Sequence, residues 1–224
     1  MKKFIRENSL SLFFIALFLL AVGFQALAGW QDFNNSQLSH NGDPIGFGRY
    51  LLSSEFGVAV LENWQSEYLQ FTLYVVATVW LLQRGSPESK ELDNPGGESD
   101  KEQKIGPHAD ESSPRWARVG GIRTWIYSNS LLLVMGAIWF LSWFGQSITG
   151  RVAYNEERFD HHQAGLSYVE YLGSADFWER TLQNWQSEFL AVGSMAILAV
   201  YLRQRGSPES KPVGAAHEHT GVTG

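Results

Sequence analysis

The chain of 224 residues contains no cysteine. That excludes a disulfide framework, a thiolate metal site and a cysteine nucleophile. There is no strand-turn-helix serine elbow, no phosphate-binding glycine loop and no H-E-x-x-H pair. No catalytic constellation or cofactor motif is visible, and the sequence predicts a protein that is not an enzyme. The 17 Lys and Arg form no stripe interleaved with aromatics, so the electrostatic footprint of a nucleic-acid binder is missing. Proline is sparse, with 7 residues, and none falls between 45 and 86.

What is present is a duplication. Asn63-Trp64-Gln65-Ser66-Glu67 returns letter for letter as Asn184-Trp185-Gln186-Ser187-Glu188, 121 positions later. Gln83 to Lys90 returns as Gln204 to Lys211 at the same offset, as do Gln25 (Gln146), His40 (His161), Tyr50-Leu51 (Tyr171-Leu172) and Phe56 (Phe177). Between positions 4 and 90 no gap is needed, and roughly a third of the aligned positions are identical, far above chance for an ungapped match.

Each copy carries an apolar run long enough to cross a bilayer, 10–28 in the first and 130–149 in the second. A cleavable signal peptide is the rival reading of the first run, with Ala26-Leu27-Ala28 as a small-x-small site. The equivalent run lies mid-chain, where no signal peptide can sit, so a retained helix is expected. Gly29 to Ser53 is a polar and aromatic connector with Gly42, Asp43 and Pro44 as turn formers. A helix starting near Ser53 or Ser54, capped by a hydroxyl, should then run to Leu82. Its strictly apolar part, 68–82, is too short to span alone, and completing the span draws Asn63 to the bilayer edge.

The expected fold is therefore an all-α membrane protein of four transmembrane helices, arranged as two tandem helical hairpins in parallel orientation with ordered external connectors. Residues 1–90 form the first two-span repeat, with spans at 10–28 and 63–82. Residues 115–211 form the second, with spans at 130–149 and 184–202. Residues 91–114, rich in Gly, Ser, Glu and Asp, read as a disordered cytoplasmic linker, and 212–224 as a disordered tail. Most Lys and Arg lie in the first tail, the linker and the last tail, which places both termini in the cytoplasm by the positive-inside rule. An even number of spans per copy gives both copies the same orientation.

The pattern N-S-L, apolar run, G-x-x-x-Y/F-N, Y-L-x-S/G, F, N-W-Q-S-E-F/Y-L, apolar run, Q-R-G-S-P-E-S-K resembles a family of uncharacterised bacterial integral membrane proteins known only as a domain of unknown function. The likeness covers both copies outside the linker and tail. It implies a multi-pass protein of the bacterial plasma (inner) membrane, and it implies no activity.

On a helical wheel Asn63, Glu67, Gln70 and Tyr74 fall within about 60° of one another, with Ser66 beside them. The second copy presents Asn184, Ser187 and Glu188 in the same way. A carboxylate at the hydrocarbon edge is costly unless paired or wet, so this stripe should face protein. It reads as a polar clamp between helices in a structural or interaction component, or as the lining of a small transporter or channel. Trp64 and Trp185 suit interface anchors. Gln25 and Gln146, near the outer ends of the first and third spans, are each expected to bond to the motif helix of their own hairpin. His40, His161 and His162 are weak metal candidates whose spacing matches no metal motif, and solvated histidines are the expectation. The repeated Gln-Arg-Gly-Ser-Pro-Glu-Ser-Lys blocks read as helix stops. Expected partners are bilayer lipid and, through self-association or otherwise, another membrane protein.

Overall fold

The computed structural model describes residues 2–221; Met1 and 222–224, the end of the expected tail, lie outside them. Every regular element among the described residues is helical. The order is α1 (Lys2–Glu7), α2 (Ser9–Ser39), α3 (Phe47–Tyr50), α4 (Ser54–Trp80), α5 (Arg115–Arg118), α6 (Gly121–Ser128), α7 (Ser130–Asp160), α8 (Tyr168–Leu172) and α9 (Ala175–Tyr201), with one 3-10 turn at Gly106–His108. Helices α2 and α7, each of 31 residues, begin and end 121 positions apart, and so do α4 and α9, each of 27. Residues 91–114 hold turns and that single 3-10 turn.

Two of these helices, α2 and α7, are long and apolar enough to cross a membrane. Both outrun the expected spans and continue to Ser39 and Asp160. The physical reason is that Gly29 and Gly150 stand alone and no proline follows before the helix ends, so nothing breaks the hydrogen-bond ladder where the apolar run stops. Helices α4 and α9 are long enough but not apolar enough, because the N-W-Q-S-E segment interrupts their apolar character.

The chain divides into two compact units. The first comprises Met1–Leu61 and Gly145–Phe177. Here the polar extensions of α2 and α7 fold their connectors back onto themselves. Asn34 Oδ1 accepts from the Ile45 N–H at 2.8 Å, and its Nδ2 donates to the Ile45 carbonyl at 3.1 Å. Asn155 clasps Leu166 in the same manner, at 2.7 and 2.9 Å. Trp30 Nε1 adds a bond to the Ile45 carbonyl at 2.7 Å, and Arg151 Nε does so for Leu166 at 3.1 Å. Tyr50 then packs between Phe33 and Phe56, and Tyr171 between Tyr154 and Phe177, with ring centroids 5.5 to 5.8 Å apart. Both tyrosines are buried, and their hydroxyls lie against Gly29 and Gly150, where a Cβ would come within 2.2 and 2.5 Å. Burial, with Glu55 and Asp32 nearby, pushes the Tyr50 hydroxyl above its ordinary pKa. Ser53 and Ser174 cap the following helices, accepting from the Phe56 and Phe177 amides at 3.2 and 3.3 Å.

The second unit comprises Glu62–Phe144 and Trp178–Gly224. Its Q-R-G-S-P-E-S-K blocks adopt one local fold twice. The Gln83 amide donates to Ser89 Oγ at 3.0 Å, and the Gln204 amide to Ser210 Oγ at 2.9 Å. Ser86 and Ser207 each accept from the amide two residues on, at 3.2 Å. Gly85 and Gly206 hold φ of 82° and 81°, the left-handed region that glycine enters at no steric cost. Lys90 Nζ donates to the Gly96 carbonyl at 2.7 Å, and Lys211 Nζ to the carbonyls of Ala216, His217 and His219. The tail also bonds to the first block, Gly221 N to the Ser86 carbonyl and Gly85 N to Thr220 Oγ1.

Candidate functional site

The repeated N-W-Q-S-E segments meet within the second unit. Trp185 Nε1 donates to Gln65 Oε1 at 2.7 Å, and Ser66 Oγ donates to Glu188 Oε1 at 3.4 Å. One turn earlier Arg180 pairs with Glu62 at 3.5 Å. The partners 62, 65 and 66 on α4 meet 180, 185 and 188 on α9, so numbers rise together and the two helices run parallel here. From α7, Trp143 Nε1 reaches Thr181 Oγ1 at 3.4 Å. Gln65, Ser66 and Thr181 are fully buried. A tryptophan N–H that finds an amide oxygen satisfies both groups away from water, which is the condition for placing them inside at all.

The remaining expected residues fall in both units. Asn63 and Glu67 are exposed, Gln70 is half-buried, and the Gln65 Nε2 and Gln70 Oε1 atoms are buried with no partner among the described residues. Asn184 Nδ2 donates to the Arg180 carbonyl at 2.8 Å, and Ser187 Oγ to the Asn184 carbonyl at 2.8 Å, so both turn back onto their own helix. Trp64 is exposed and Trp185 half-buried. Gln25 is exposed on α2, whereas Gln146 on α7 is fully buried and neither amide atom has a partner among the described residues, so the expected bond from Gln146 to its motif helix is not made there. His40 Nδ1 lies 2.9 Å from the Ser36 carbonyl, and His161 and His162 are exposed. No three His, Cys, Asp or Glu among the described residues are grouped to hold a metal ion.

Gln65 is the central residue that the helical wheel leaves out. Its only signal in the sequence is membership of the repeated block. The wheel of α4 alone gives a polar face, and the partner helix decides which edge of that face is buried.

Below the crossing, Tyr74 OH donates to the Glu88 carboxylate. A hydrogen bond with Glu88, and its charge, push Glu209 above the ordinary glutamate value. Glu88 and Glu209 are equivalent positions of the two blocks. The arrangement as a whole can bind helices together through hydrogen bonds and can share a proton between two carboxylates.

No curated protein and no solved structure matches the chain. The model of one family covers residues 1–222. The chain belongs to that family, described as the domain of unknown function DUF6766.

Proposed function

We propose that the chain is a four-span protein of the bacterial plasma membrane with both termini in the cytoplasm, and that it acts as a non-enzymatic structural or interaction component. The observation that carries this reading is the α4–α9 crossing, where the repeated polar letters are spent on each other: Trp185 on Gln65 and Glu188 on Ser66. Polar side chains so engaged need not face lipid, which makes α4 and α9 tolerable as spans despite their interrupted apolar runs. At 27 residues each, and about 1.5 Å per residue, they exceed the hydrocarbon thickness. In this reading α4 and α9 are the clamp that holds the copies together, and the outer connectors form an ordered cap available to a second copy or another membrane protein.

Thermal unfolding in detergent tests it. Trp185→Phe leaves the Gln65 oxygen buried without a donor and should cost about 1–3 kcal/mol. Glu188→Leu should also lower Tm, while Glu188→Gln, which still accepts from Ser66, should stay near wild type. Unchanged Tm in both Trp185→Phe and Glu188→Leu would remove the clamp. The small transporter or channel is the second reading, favoured by Glu67, whose exposed carboxylate has no hydrogen-bond partner among the described residues. Proton or cation flux through proteoliposomes that Glu67→Gln abolishes at unchanged Tm would establish it in place of the first.

A further inference from the structure

The first unit contains an open cleft of about 1010 Å³. That is the upper end of the roughly 300–1,000 Å³ of small-molecule sites and far more than one ion needs. Its charged lining is Arg49 from α3, Asp43 from the connector, and Glu156 and Asp160 from the end of α7. Its apolar lining includes Phe33, Ile45, Leu52, Val152 and Phe159. Ser54 Oγ donates to Glu156 at 3.3 Å. The Arg49 guanidinium and the carboxylates of Asp43 and Asp160 have no ion-pair or hydrogen-bond partner among the described residues.

The charges of this cleft are where the two copies part company. Gly29, Asn34, Tyr50 and Phe56, which build the connector fold, are the same in both copies. Arg49, however, corresponds to Glu170, Asp43 to Ala164, Glu156 to Asn35 and Asp160 to Ser39. Each copy thus makes the connector fold without two of these charges: the second has no counterpart of Arg49 or Asp43, and the first has none of Glu156 or Asp160.

We propose that this cleft binds a small organic zwitterion, its anionic group on Arg49 and its ammonium on the α7 carboxylates Glu156 and Asp160. A pure anion would meet three carboxylates for one guanidinium. A pure cation would share the cleft with an unpaired arginine. Only a ligand carrying both signs matches the two kinds of charge, and a phosphate or carboxylate is the planar-fork partner that arginine favours. The apolar walls suit the ligand's carbon skeleton, and Phe33 and Phe159 can face the ammonium. Two sources supply such chemistry, the headgroup of a zwitterionic phospholipid and a free amino acid. The proposal rests on the cleft and is independent of the number of spans.

The test is binding to the full chain in dodecyl maltoside, read by calorimetry and by the rise of Tm with ligand concentration. The probes are glycerophosphoethanolamine and leucine, with glycerol 3-phosphate and ethanolamine as single-charge controls. At least one zwitterion should bind, with both single-charge probes at least about tenfold weaker, a difference of about 1.4 kcal/mol. A response to glycerophosphoethanolamine assigns a lipid headgroup, and a response to leucine alone assigns a free amino acid. Arg49→Gln and Asp160→Asn should each weaken binding at least about tenfold and leave the ligand-free Tm unchanged, since neither side chain has a partner to lose. The proposal is overturned if neither zwitterion binds, if a single-charge probe binds as tightly, or if both variants keep wild-type affinity.

Discussion

A methyl group added at residue 150 would lie 2.5 Å from the Tyr171 hydroxyl and 3.3 Å from Val58 Cγ2. Tyr171 is fully buried and held by Phe177 and Tyr154, so the ring cannot simply swing out. Gly150→Ala should therefore destabilise by about 1–3 kcal/mol, the usual cost of overpacking. Tyr171→Phe removes the clashing oxygen, though it also gives up the bond to Asp176 at 3.1 Å. The double variant should be more stable than the sum of the two single changes, a coupling that a double-mutant cycle in Tm reads directly. The asparagine clasp gives a second expectation. Asn155→Ala strands the Leu166 N–H, while Arg151 still donates to the Leu166 carbonyl, at about 1–3 kcal/mol if the N–H stays buried. Asn34→Ala should cost less, because Asn34 is more open to water than Asn155. Urea or thermal unfolding of the two variants side by side checks that order. The glycines and asparagines stood in the repeated pattern and were legible as letters. What they do was not, since a bond across eleven positions to a connector carbonyl has no periodic signature. The exchange of Trp30 for Arg151, two unlike residues making one bond, could not be read without coordinates.

At the scale of elements, helix starts and the glycine turns after the helices were more legible than helix ends. The serine caps at Ser53 and Ser174 and the left-handed glycines at 85 and 206 act where local chemistry places them. The helices α2 and α7 run past the expected spans because polarity marks the edge of a bilayer, whereas helices stop only where a breaker or a competing bond stops them. The phase of α4 was likewise hidden, since periodicity fixes a face and tertiary partners fix its rotation. The Glu88–Glu209 contact joins the ends of two elements far apart in sequence and has a pH signature. Glu209 is raised above its ordinary value of 4.5 by the neighbouring Glu88. The folded state then holds the proton more tightly than the unfolded chain. Its contribution to stability is full below pH 4.5 and is lost as pH rises through the higher folded value. Wild-type Tm should fall over that window, and Glu209→Gln, which is neutral throughout, should flatten the fall. An identical pH profile in the variant would show that the two carboxyls do not interact in solution. The effect should be small, because Glu209 is exposed to solvent screening.

If each copy crosses the membrane twice, as proposed, the chain returns to the side from which it started and both copies share an orientation. The parallel run of α4 and α9 at their crossing is what that parity requires. If only α2 and α7 crossed, the connector after α2 and the linker before α5 would lie on the same side. Because the chain has no cysteine, single cysteines at Ser36, Ser99 and Ser167 can separate these cases with a membrane-impermeant thiol reagent on intact cells. With four spans, the variants at Ser36 and Ser167 are labelled, and the variant at Ser99 is labelled only after the membrane is opened. Labelling at Ser99 in intact cells, on the same side as Ser36, would contradict that topology.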